Sequence, residues 1–156
     1  MTNIGDILSD GVKSNLISNS AEIGDVFRLK FEPKDGIVPK RDDDSRNKFF
    51  VILGIDDAGN AFGFVVINSI INQHLPLERK NLHYQLKASK YSFLEGKDRF
   101  VDCSDFKQIS KIRFTELFVG NSLRGKIDDE DLQYIKDAVV SYEDAPKKIL
   151  KRFGLI

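Results

Sequence analysis

Residues 48–67 constrain this chain more than any other stretch. Lys48 to Ile55 (KFFVILGI) is a near-continuous apolar run and reads as a buried strand. Asp56-Asp57-Ala58-Gly59-Asn60 supplies turn chemistry, and Ala61 to Ile67 makes the return strand of a hairpin. A second strand precedes it, because Phe27, Leu29 and Phe31 alternate with Val26, Arg28 and Lys30. Shorter strand candidates follow at Leu82 to Leu86, Arg99 to Cys103 and Phe106 to Ile109. Strict α/β alternation is absent, so a parallel sheet is not expected. The expected class is α+β, mainly β: a small curled sheet or barrel closed by C-terminal helices.

Those helices carry their own signals. Gly125 and Asp128 mark a start, and Leu132, Ile135, Val139 and Tyr142 recur on one face. Asp128, Asp129, Glu130 and Asp131 sit in the first turn, where carboxylates suit the positive end of the helix dipole. Pro146 opens a last short helix carrying Ile149, Leu150 and Phe153. At the other end, Ile4, Ile7, Leu8, Val12, Leu16 and Ile17 predict an amphipathic helix within residues 1–22. Between Glu32 and Asn47, nine of sixteen residues are charged and two are proline, which predicts a long exposed loop.

At 156 residues the chain is expected to form a single domain, with an extension at 1–22, barrel strands at 23–118 and helices at 126–156. The longest strongly apolar stretch, Phe62 to Ile71, is about half of what a membrane helix needs. No basic-then-apolar leader opens the sequence, so no secretory signal is expected. A lone cysteine, Cys103, admits no internal disulfide and fits a reducing cytoplasm. With 24 basic and 24 acidic residues the net charge is zero, which excludes a wholly basic nucleic-acid binder but not a local basic groove.

The common nucleotide, zinc and hydrolase motifs are absent. No cofactor or metal is therefore expected. His74 and His83 are too few for a metal site and read as structural, as does Cys103. Asp42-Asp43-Asp44 reads as a solvated run. The basic residues are more suggestive. Lys34, Lys40, Arg41, Arg46 and Lys48 flank one loop, while Lys107, Lys111 and Arg113 form a second cluster free of acids. If both face one groove, a phosphate backbone fits there despite zero net charge.

Order and spacing add a family resemblance. The string GDVFRLKF, the charged loop, KFFVILGI, a return strand ending VVINS, then FKQISKIRF and Gly125-Lys126-Ile127 resemble the PemK/MazF-like toxins. Those are small endoribonucleases of toxin–antitoxin pairs. The resemblance spans roughly Ile23 to Ser141. It implies an SH3-like barrel, a homodimer with single-stranded RNA in a groove across it, and an antitoxin-like protein partner. It also implies metal-independent cleavage, in which the ribose 2′-hydroxyl attacks its own 3′-phosphate. The family's catalytic arginine and threonine or serine map imperfectly. Lys48 takes the arginine slot with Arg46 two residues upstream, on the same strand face. Asn68 takes the threonine slot with Ser69 beside it. An amide can donate and accept a hydrogen bond but cannot transfer a proton as a hydroxyl does. The expected site is therefore Lys48, Arg46, Asn68 and Ser69, with Lys34, Lys40, Arg41, Lys107 and Lys111 holding the backbone and catalysis weakened. The rival expectation is a non-enzymatic SH3-like module that binds an antitoxin-like protein; a small-molecule enzyme ranks third.

Overall fold

The computed structural model describes residues 20–39, 43 and 45–156. Seven strands form one antiparallel sheet. They are β1 (Asp25–Phe31), β2 (Arg46–Ile55), β3 (Ala61–Asn68), β4 (His83–Leu86), β5 (Arg99–Asp102), β6 (Lys107–Ser110) and β7 (Leu123–Lys126). Their spatial order is β4-β5-β3-β2-β1-β7, with β6 joined to β3 off that path. The outer edge of β3 is shared: β6 takes Ala61 to Phe64, and β5 takes Ile67 and Asn68. A bulge in β2 between Ile52 and Gly54 sharpens the local bend. The result is an α+β, mainly β fold built on a curled half-barrel, as the strand pattern predicts. Among the described residues four helices accompany it: α1 (Leu77–Lys80), α2 (Lys111–Leu117), α3 (Asp129–Ser141) and α4 (Lys147–Arg152). Among the described residues no helix is long and apolar enough to cross a membrane.

The apolar run in β2 is buried on both faces because each face has its own cover. Phe50 and Ile52 join Phe27, Leu29 and Phe31 of β1, Phe62, Phe64 and Val66 of β3, and Phe114 of α2. Phe114 lies edge-on to Phe27 and Phe62, with ring centroids 4.9 and 5.1 Å away. Each such ring contributes about 1.5–3 kcal/mol through burial. Phe49, Val51 and Leu53 point the other way, into a cluster with Val65, Ile135, Val139, Leu150 and Phe153. Alternation along one strand thus feeds two cores. Gly54 and Gly63 face each other across β2 and β3 and leave a dent on that second side. A Cβ on Gly54 would stand 2.3 Å from the Phe153 carbonyl oxygen, and one on Gly63 would stand 2.3 Å from Phe106 Cζ. Only glycine lets the C-terminal turn seat so closely.

Helix α3 starts where the acidic turn predicts, with Asp128 as N-cap accepting the Asp131 amide at 2.8 Å. Ile135 and Val139 are buried on its inner face, with Leu132 and Tyr142 packed beside them. Asp131 is more than a dipole partner. Its carboxylate accepts the hydroxyls of Tyr84 and Tyr91 and the Lys90 ammonium, the last at 2.9 Å, which ties the helix to β4 and the loop after it.

Most described residues between Glu32 and Asn47 are exposed, as expected, but the segment is anchored at two points and its last two residues already belong to β2. A 3-10 turn at Pro33–Asp35 opens it, and Ile37 is buried in the aromatic core. Arg113 of α2 grips Asp35 in a two-pronged contact, Nε to Oδ1 at 2.8 Å and Nη2 to Oδ2 at 3.0 Å. An apolar anchor and a paired carboxylate thus hold what composition alone marks as solvated. The expected helix within residues 1–22 lies outside the described residues, except that Ala21 packs into the aromatic core.

Candidate nucleic-acid interface

Two clefts open where β2 begins and β3 ends. The first, about 680 Å³, is lined by Arg28, Lys30, Asn47, Phe49, Ile67 and Arg99, among others. The second, about 610 Å³, is bordered by Ile37, Val38, Asn68, His74, Arg79 and Lys107. Arg46, Lys48 and Ser69 line both. The antiparallel register explains the meeting: Phe49 faces Ile67, so Lys48 and Asn68 are the next pair along, at the strand ends.

Lys48 is only 9% exposed, and its ammonium donates to the Asn68 side-chain oxygen. Arg46 shares the Lys48 strand face and leans toward the Val38 carbonyl at 3.5 Å. The four residues expected to be catalytic are therefore neighbours. Their geometry holds one cation in place with an amide and sets a second cation and a hydroxyl beside it.

The residues expected to hold a backbone divide. Lys107 reaches the second cleft, but its ammonium is engaged by Asp105 and the Gly36 carbonyl, both at 3.0 Å. Lys34 is exposed beside Glu32 at 3.6 Å and lines neither cleft. Lys111 is not brought to this site. Its amide bonds the Asn60 carbonyl, beyond the opposite end of β3, and its ammonium sits 5.4 Å from the Phe62 ring. Eight residues of strand separate Asn60 from Asn68, roughly 25 Å. Arg113, of the same sequence cluster, is consumed by Asp35, Glu32 and Glu116. Lys40 and Arg41 lie outside the described residues.

Residues that the sequence reading did not single out complete the first cleft. Arg28 and Lys30 form the cationic face of β1, and Arg99 opens β5. The clue was present in β1, whose outward alternation holds only cations beyond Val26. Beneath the second cleft, His83 Nδ1 donates to the Arg79 carbonyl at 2.8 Å, and its Nε2 lies 3.7 Å from Asp102. Asp102 in turn accepts the Ser104 hydroxyl at 2.6 Å. With its side chain 1% exposed, His83 lies at the floor of the cleft. Burial, reinforced by the Asp102 charge, pushes the Cys103 thiol up to about 12, so it stays protonated and unreactive near neutral pH. Among the described residues no three His, Cys, Asp or Glu side chains gather as a metal-binding group.

In comparisons with known proteins, no family model matches the chain and no curated protein matches it.

Proposed function

We propose that the chain is an RNA-binding, toxin-like endoribonuclease that cleaves single-stranded RNA by attack of a ribose 2′-hydroxyl on the adjacent phosphodiester. The observation that carries this reading is the junction of the two clefts, where a buried Lys48 fixed by Asn68 stands with Arg46 and Ser69. In such a step the 2′-hydroxyl gives up its proton to solvent as its oxygen bonds to phosphorus, the bond to the 5′-oxygen breaks, and that oxygen takes up a proton from solvent. Charge gathers on the non-bridging oxygens as the new bond forms. Arg46 supplies a planar fork for two of them, and Lys48 a point charge for one. Ser69 is the hydroxyl able to orient the attacking 2′-oxygen, since Asn68 is already occupied as an acceptor by Lys48. The same resemblance supports a cytoplasmic homodimer and an antitoxin-like partner as parts of the proposal.

A second reading is favoured by one observation. Val38 and Ile70, on the rim of the second cleft, are 79% and 68% exposed, an apolar margin that suits a non-enzymatic module covered by an antitoxin-like protein. Incubation of the purified protein with a mixed single-stranded RNA pool, with and without EDTA, separates the two. The endoribonuclease reading expects slow, EDTA-insensitive cleavage leaving 2′,3′-cyclic phosphate and 5′-hydroxyl ends. Neither binding nor cleavage of RNA by the partner-free protein would refute it in favour of the interaction module.

A further inference from the structure

We propose that Arg28 and Arg99, both seated on the ring of Phe49, form a second phosphate subsite that starts beside the scissile linkage at Arg99 and carries the flanking RNA backbone on to Arg28. The inference rests on the reading above and adds a place for the flanking chain. The guanidinium carbons of Arg28 and Arg99 lie 5.3 and 5.1 Å from the Phe49 ring centroid. Phe49 is itself 4% exposed, covered on the cleft side by the residues it supports. An aromatic backing restrains a long side chain and leaves its N–H fork free to face outward. A pair of such forks suits the oxygens of a phosphodiester.

The charge arrangement points the same way. Several cations elsewhere have acidic partners: Lys90 with Asp128 and Asp131, Lys126 with Glu22, and Arg113 with three carboxylates. Among the described residues, Arg28, Lys30, Arg46 and Arg99 form no ion pair within 4.0 Å, and with Lys48 they line the first cleft, where they outnumber its acids, Asp43 and Glu95. Arg99 makes one long hydrogen bond, from Nε to the Leu94 carbonyl at 3.5 Å. Gathering like charges without neutralising them costs folding free energy, and a bound polyanion offsets that cost.

Position grades this subsite: continuing the β3–β5 ladder past Asn68 and Phe100 sets Arg99 across from Ser69, while Arg28 lies farther off. Arg28 pairs with Phe49, and Phe49 with Ile67, so β1 lies two strand spacings from the strand that leads to Ser69. Two spacings are roughly 10 Å, more than one phosphate group spans. The first cleft is continuous with the junction through Arg46 and Lys48. A single strand can therefore pass from Ser69 along β2 to Arg28.

The test uses a short oligoribonucleotide with 2′-O-methyl groups, which binds without being cleaved, titrated at several salt concentrations. Arg28→Met and Arg99→Met keep an apolar stem on Phe49 and remove the charge, and thermal melting confirms that each variant folds. Each is expected to bind about tenfold more weakly and to lower the log–log salt slope by about 0.7. In Arg28→Met the RNA concentration for half-maximal cleavage should rise about tenfold, with a smaller loss of saturated rate than Lys48→Met shows. Wild-type affinity and slope in both folded variants would overturn the subsite while leaving the endoribonuclease reading intact. A loss of saturated cleavage rate in Arg28→Met as large as that in Lys48→Met would also overturn it, by placing Arg28 at the reacting phosphate. Tighter wild-type binding of poly-glutamate than of the oligoribonucleotide, lost in both variants, would reassign the cleft to an acidic protein. Failure of the wild type to bind or cleave RNA would remove the parent reading itself.

Discussion

Burying an ammonium group strips its hydration, so Lys48 at 9% exposure is a costly residue to keep where methionine would pack. That cost is understandable if the charge is needed for a developing phosphorane. Lys48→Met should then lower single-turnover RNA cleavage about 10²–10³-fold. Affinity should fall far less, because one of several phosphate contacts is lost. Lys48→Arg should raise the rate above wild type by adding a second prong at peak charge, again with little change in affinity. Parallel single-turnover and filter-binding measurements check both; equal losses in rate and affinity would refute the transition-state role. Lys48, Arg46, Asn68 and Ser69 were legible because two adjacent strands of a hairpin bring their ends together by register alone. Arg28 and Arg99 were not, since they lie on non-sequential strands and meet through a ring that neither neighbours in sequence. Lys111 shows the converse limit: closeness to Lys107 in sequence says nothing once the chain leaves β6 for a helix.

That helix marks what is hard to read at the level of elements. Ser110 Oγ accepts the Arg113 amide at 3.0 Å and turns the chain into α2, although KIRF alternates like a strand. Strand β7 was invisible for another reason. Leu123, Arg124, Gly125 and Lys126 show no apolar period, and only pairing with β1 makes them a strand. The long elements β1, β2, β3 and α3 match their sequence patterns because burial repeats along them. The anchor of α3 gives a pH signature. Burial opposes ionisation of Asp131, but hydrogen bonds from Tyr84, Tyr91 and Lys90 outweigh it and hold the carboxyl below its usual range. Burial and the Asp131 bond push Tyr84 up to about 12, and Tyr91 rises for the same causes. A lowered carboxyl stabilises fully above its ordinary value, about 4, and loses that contribution as pH falls through the folded value. A raised phenol stabilises below about 10 and loses it as pH rises past there. Melting temperature should therefore hold a plateau between these limits and fall on both sides. Asp131→Asn should lower the plateau by about 1–3 kcal/mol and flatten the acid side. An unchanged acid limb in that variant would show that Asp131 is not the anchor.

Across the whole molecule, zero net charge coexists with one cleft in which five cations outnumber two acids, so net charge is a poor guide to what the surface attracts. As a dimer of the proposed kind, the protein should sediment at twice the chain mass at tens of micromolar, and a monomer there would count against it. The sheet has a further property. Asp25 and Lys126 sit opposite each other in the β1–β7 ladder although about a hundred residues of chain lie between them. Until that late stretch docks, the first strand presents a bare edge. Loop closure over such a span is slow, which places refolding in the millisecond-to-second range typical of nonlocal β structures. During that interval the exposed edge can accept the corresponding strand of another copy. Stopped-flow refolding should show this as a yield that declines as protein concentration rises, with the swapped species recoverable as a slowly dissociating oligomer. The register that completes the sheet is thus also the step at which two folding chains compete.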